Sequence, residues 1–379
     1  MNININVKNK VKTILRKKLS NDEEEIVSEE LVPSYTDDNV DDIINYISNR
    51  IVGQEDAIKT LLSNIFYNQI LVDEITQNEE FDFTELESRK VSILLDGPTG
   101  TGKSAIINDI ASKISIPVSV TNVTRFFESS YVNDTTNDIL YDLLVKADGK
   151  LENAERGIVI LDEIDKIANN SSFSIREVRK SVQEEIISLM DGEIIDVSIQ
   201  SGDQVMAVPF DTSKLTFIMS GDFKKLKNRK VNDDCSTRTI GFNKDMDIDP
   251  DVVSIKNYIK SGTIPGLFEK IRVIAKTKNY DVEDYKNILL KSEISPLNSF
   301  IKTIKDFDYK NVRYDSKLVT KLANDAYDMG VGARGLQILV SEAQNKVLYD
   351  VMTQKYNKNE SIILTDDLLE PSKSKVRVR

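Results

Sequence analysis

The sequence predicts an α/β fold, a doubly wound parallel sheet, followed by a smaller and mainly helical domain. Three observations carry this. The runs Val91–Leu95 and Ile158–Leu161 are mostly or wholly apolar, and each ends in glycines or carboxylates. Buried parallel strands look like this when loops at their C-terminal ends build a site. Further apolar runs near Ile116–Val120 and Leu215–Met219 alternate with helical periodicity. After Thr277 apolar residues recur mainly at helical spacing.

Taken in order, residues 1–20 are rich in lysine and residues 21–42 in Asp and Glu. Opposite charge blocks mark a solvated, weakly ordered arm, so residues 1–48 read as a charged N-terminal extension. Ala57, Leu61, Leu62, Ile65 and Phe66 line one face of a helix over 54–71. The polar stretch 73–90 reads as a loop. The first strand follows, then a helix from about Lys103, a strand at 116–120 and a helix over 137–146. After the Ile158 strand come a helix at 175–190 and a hairpin of 194–199 with 205–209 around Ser201-Gly202-Asp203. The strand at 215–219 ends at Ser220, and residues 223–263 are polar and irregular. Helices are expected at 281–291, 294–306, 315–328 and 334–350. Residues 49–277 therefore form a large α/β domain, 278–368 a small helical domain and 369–379 a frayed basic tail.

Composition narrows the chemistry. A chain of 379 residues with 40% hydrophobic and 30% charged residues is of the soluble globular class. No apolar run reaches the length of a membrane span. One cysteine, Cys235, excludes a disulfide framework and suits a reducing compartment such as the cytoplasm. Histidine is absent, so His-based triads and Cys/His zinc sites are excluded. A net charge of −12 argues against broad duplex-DNA binding, which rests on phosphate neutralisation.

Gly97-Pro98-Thr99-Gly100-Thr101-Gly102-Lys103-Ser104 fits G-x-x-x-x-G-K-[ST] between a strand and a helix, the context a P-loop needs. Its glycines allow a tight turn that points consecutive N–H groups at phosphate oxygens. The helix N-terminus adds positive potential. Lys103 is expected on the β/γ-phosphates of ATP and the Ser104 hydroxyl on Mg²⁺. Ile158-Val159-Ile160-Leu161-Asp162-Glu163 supplies the complement. Asp162 would orient Mg²⁺ and its waters, and Glu163 would polarise the attacking water as general base.

These motifs, in their wording, resemble the AAA+ unfoldases of the ClpX/HslU branch, and within it the ClpX family, over residues 50–365. The resemblance implies a P-loop AAA+ domain followed by an AAA+ lid domain. It also implies a homohexamer that hydrolyses ATP to pull unfolded or tagged proteins through a pore. Ile51-Val52-Gly53-Gln54 looks like the family's adenine-side segment, with Ile51 and Val52 flanking the base. Gly332-Ala333-Arg334-Gly335-Leu336 matches sensor 2, placing Arg334 on the γ-phosphate, and Ser220 falls near sensor 1. Tyr131-Val132 aligns with the aromatic pore loop, its flanking glycines replaced by Ser130 and Asn133. Ile240-Gly241-Phe242 matches the loop that docks a ClpP-like peptidase.

The departures are also specific. One cysteine cannot build the family's N-terminal Cys₄ zinc domain, and without histidine its Arg-Lys-His entrance loop is incomplete. The arginine finger position holds Lys270, which cannot fork onto two phosphate oxygens as Arg does. Arg272 would share a face with Lys270 if the segment is extended. Lys270 and the missing zinc domain also suit a second reading, a weakly hydrolysing regulatory subunit that joins or competes with a conventional ClpX ring. A nucleic-acid motor of the same superfamily is the third, disfavoured by the charge.

Overall fold

Ser92–Asp96 form β1, and all five residues are buried. A strand buried on both faces belongs in the interior of a sheet wrapped by helices, and β1 has a neighbouring strand on either side. The computed structural model describes residues 39–77, 86, 89–128, 132–167, 173–201, 204–223, 265–358, 361–369 and 377–378. With β1 stand β2 (Val118–Asn122), β3 (Ile158–Asp162), the hairpin β4 (Ile194–Ser201) and β5 (Gln204–Asp211), β6 (Thr216–Gly221) and β7 (Ile271–Lys276). The main sheet runs β2-β3-β6-β1-β7, with β2/β3, β3/β6 and β6/β1 parallel. Chain order and sheet order differ, so helical crossovers must join the strands.

The described residues divide into two compact units, each assembled from separate stretches. One comprises Ser63–Asp96 and Ile114–Ile274, the other Asn39–Leu62, Gly97–Lys113 and Ala275–Arg379. In the first, α5 (Val132–Lys146) and α7 (Phe173–Met190) cover the sheet, with α4 (Arg125–Glu128), α6 (Leu151–Glu155) and α8 (Pro265–Glu269) as shorter pieces. Leu140, Leu143, Val182 and Ile186 join Val159, Leu161 and Phe217 in one core. β4 and β5 form a separate two-stranded hairpin.

The second unit holds α1 (Val40–Arg50), the start of α2 (Glu55–Gln77), α3 (Lys103–Lys113), α9 (Val282–Lys291), α10 (Pro296–Lys305), α11 (Ser316–Met329) and α12 (Arg334–Met352). Its core joins Leu289, Phe300, Leu322, Leu336 and Val347. Capping fixes the helix starts. Asp281 and Asp284 close a capping box on α9. Ser295 caps α10, whose first residue is Pro296. Asp315 caps α11, which ends at Gly330.

Several expectations need correction. Helix α1 gives the last residues of the charged extension an ordered place, with Ile43 and Ile47, one turn apart, buried. The expected loop from 73 is helix as far as Gln77, since the buried stripe continues through Leu71 and Val72. Helix α5 starts at Val132, five residues early. The helical unit also contains a three-stranded sheet of β8 (Val312–Tyr314), β9 (Ile362–Leu364) and β10 (Arg377–Val378). Its pairing ties part of the supposed frayed tail, Arg377 to Ile363 and Val378 to Ile362. The charged arm 1–38, the turn residues 202–203 and most of the irregular stretch 223–263 lie outside the described residues. Among those described, no helix is long and apolar enough to cross a membrane.

Candidate functional site

The phosphate loop begins with the peptide bond after Asp96, at the C-terminal edge of β1. A loop that turns its N–H groups toward a ligand turns its carbonyls away, and those carbonyls need donors. Here they have them. Lys103 Nζ donates to the carbonyls of Gly97 at 2.6 Å and Pro98 at 2.9 Å. Thr101 Oγ1 also donates to Pro98 O, at 2.8 Å. The Ala333 N–H donates to Gly100 O at 2.8 Å, and the Tyr280 hydroxyl to Thr101 O at 3.0 Å. The Ile106 N–H donates to Gly102 O at 2.8 Å, the first bond of α3. Ser104, next on α3, is exposed.

The approach of the Gly332 turn to the loop is close. A Cβ on Gly100 would lie 2.2 Å from Val331 O, and one on Gly332 would lie 2.5 Å from Gly100 O. Both glycines have positive φ, 83° and 68°. Only glycine meets both demands. The Ala333 contact brings the start of α12, and so Arg334, next to the loop along the backbone. The Arg334 side chain is exposed.

Ile51 is buried, and its Cγ2 stands 2.9 Å from where a Gly102 Cβ would be. Val52 packs on the helical core. Gln54 clasps the Lys278 backbone from both sides: its Nε2 donates to Lys278 O at 3.0 Å and its Oε1 accepts from Lys278 N at 2.9 Å. Arg50 Nε pairs with Asp109 of α3 at 2.9 Å.

The carboxylates stand in the sheet unit. β3 ends at Asp162, whose Oδ1 accepts the Glu163 N–H at 2.9 Å. Glu163 is in the left-handed region at φ 60°, a conformation that β-carbon sterics disfavour and that recurs at functional sites. Its carboxylate accepts a hydrogen bond from Asn122 Nδ2 at 2.9 Å. Asn122 ends β2 in register with Asp162, and its Oδ1 accepts from Thr124, which fixes the amide orientation. Asn122 was not singled out from sequence; a polar residue ending the strand beside β3 was the available signal. Asp165 accepts the Asp222 N–H at 3.2 Å, and burial pushes its carboxyl above the usual range. The Ser220 hydroxyl is buried at the end of β6 with no hydrogen-bond partner among the described residues.

Lys270 follows α8, and its Nζ pairs with Asp191 Oδ1 at 2.6 Å. Arg272 is the second residue of β7. Both line a cavity of about 630 Å³ together with Lys90, Asp191, Asp211 and Glu269. Tyr131 and Ile240-Gly241-Phe242 lie outside the described residues, and Val132 is the first residue of α5.

Residues 93–241 match the family described as ATPase family associated with various cellular activities (AAA). Among curated proteins, the chain is similar to the ATP-dependent Clp protease ATP-binding subunit ClpX of Treponema denticola. The two are 29% identical over 88% of this chain and 82% of that one. The protein of that name from Porphyromonas gingivalis is 30% identical over 83% of this chain and 78% of its own. For the Bacteroides fragilis protein the figures are 27%, 84% and 78%.

Proposed function

The chain belongs to the ClpX family of AAA ATPases, and from that premise we propose that it threads polypeptides through the pore of a homohexamer and delivers them to a ClpP-like peptidase. It is an ATPase of the ClpX unfoldase type. The observation that carries the reading is the phosphate loop with its carbonyls held outward, a backbone cradle suited to phosphate oxygens. The name of these relatives, ATP-binding subunit of an ATP-dependent Clp protease, supports the peptidase partner.

Bound ATP with Mg²⁺ supplies the phosphoryl group whose transfer to water drives the cycle. The N–H groups of the Gly97–Gly102 loop hold phosphate oxygens, with Pro98 and Thr99 shaping the turn. Lys103 exchanges its carbonyl partners for the β/γ-phosphates. Ser104 would provide an oxygen ligand of the kind Mg²⁺ prefers, and Asp162 would hold one of its waters. Glu163 takes a proton from the attacking water once Asn122 yields its carboxylate. Ile51 and Val52 flank the base, and Arg334 reports the γ-phosphate. Lys270 or Arg272 completes a neighbouring subunit's site. Tyr131 and Val132 grip the polypeptide, and Ile240-Gly241-Phe242 docks the peptidase.

The test is steady-state ATP hydrolysis, and degradation of a tagged fluorescent protein by the chain with ClpP. Glu163→Gln is expected to lower kcat by about 100-fold or more while leaving nucleotide affinity unchanged. Unchanged turnover in that variant would remove Glu163 as the base. Hydrolysis with no degradation beside any ClpP would remove the peptidase partner.

A further inference from the structure

We propose that Thr277 and Tyr280, on the link between β7 and α9, are positioning residues that set nucleotide affinity by fixing Thr101 of the phosphate loop. This rests on the reading of that loop as the nucleotide site. Thr101 Oγ1 lies 2.7 Å from Thr277 Oγ1 and donates its one O–H to Pro98 O. A hydroxyl has a single proton to give, so Thr277 must be the donor between the two. The chain Thr277 to Thr101 to Pro98 therefore ties the turn together from outside the motif. The Tyr280 hydroxyl holds the other side of the same residue, donating to Thr101 O at 3.0 Å. A trans peptide group is planar, so holding the Thr101 carbonyl outward turns the Gly102 N–H the opposite way, toward the ligand side.

The support is rigid. Thr101, Thr277 and Tyr280 are 2%, 5% and 7% exposed. Burial raises the Tyr280 hydroxyl to about 12, so it remains a donor at any working pH. Its ring packs edge-on against Tyr285, with centroids 5.9 Å apart. The Gln54 clasp on Lys278 fixes the link between the two donors. Gly97 is part of the same arrangement, because a Cβ there would lie 1.8 Å from Thr277 Oγ1. A side chain at Gly97 would expel Thr277 from its place.

The experiment measures ADP affinity, KM and kcat for ATP, and the melting temperature of the full chain with no nucleotide added. The variants are Tyr280→Phe, Thr277→Val and Thr277→Ser. The first two remove a hydroxyl and little else. Each is expected to weaken ADP binding and raise KM about five- to tenfold, the effect of one lost buried hydrogen bond. kcat should stay within about twofold, and Thr277→Ser should bind as wild type. Wild-type affinity in both Phe and Val variants would overturn the proposal. So would equal losses in Thr277→Val and Thr277→Ser, which would assign the effect to methyl packing. If Tyr280→Phe does not fold, the Thr277 pair decides. A wild-type chain that binds no ADP would overturn the reading of the loop itself.

Discussion

The phosphate loop and the Lys270 cavity each hold a lysine, and they are built in opposite ways. Around Lys103 the geometry is made by backbone. Glycines allow close approach, and the loop carbonyls are taken by Lys103, Ala333, Tyr280 and the first turn of α3. Around Lys270 it is made by side chains. An ion pair to Asp191 links groups that are 29% and 40% exposed, in a cavity lined by charges of both signs. Ion pairs this exposed are worth about 0–1 kcal/mol. A backbone site tolerates no change of shape, whereas a side-chain site tolerates exchange of its parts.

The sharpest way to break the comparison is at Gly332. Gly332→Val puts a branched side chain at positive φ and onto Gly100 O, and should weaken ADP binding by about 100-fold or more; calorimetry on the folded variant checks this. Near-normal binding would mean the loop is less constrained than its contacts indicate. Next comes Lys270→Arg. If Lys270 serves as the finger, the forked guanidinium should raise kcat by about tenfold or more, since arginine fingers in related NTPases are worth about 10³–10⁵. No gain, with a loss in Arg272→Lys, would move the finger to Arg272. Smallest is Asp191→Asn, which removes the charge that pairs with Lys270. It should change kcat by no more than about fivefold, because the pair is weak. A large loss there would show that Asp191 sets the lysine's position and would give the cavity a stiffness like that of the loop.

How much of this could be read from the chain follows the same division. The P-loop and the strand ending at Asp162 were legible because each is a contiguous run in which apolar residues and the chemistry adjoin. The helical unit was legible from periodicity, but its sheet was not. β8 and β9 have three residues each and β10 two, too short for alternation to register. The start of α5 was missed because Asn133, Asp134, Thr135 and Thr136 are weak helix formers, and their tertiary setting overrides that: Thr135 and Thr136 are buried, and Thr136 donates to Glu185 at 2.8 Å. Asn122, Thr277 and Tyr280 act across separations of 41, 176 and 179 residues. No local pattern records a contact that distant.

The mutual exclusion of Gly100 and Gly332 has a genetic consequence. Each occupies space that a side chain on the other would need, so the two positions share one steric constraint, beside the positive φ that each holds by itself. Replacing either should push the turn off the loop. Once that has happened, replacing the second should cost only its own positive-φ strain, so a double-mutant cycle should be sub-additive. A lineage that lost one glycine would be released from the steric part of keeping the other, and positive φ alone would then favour glycine there.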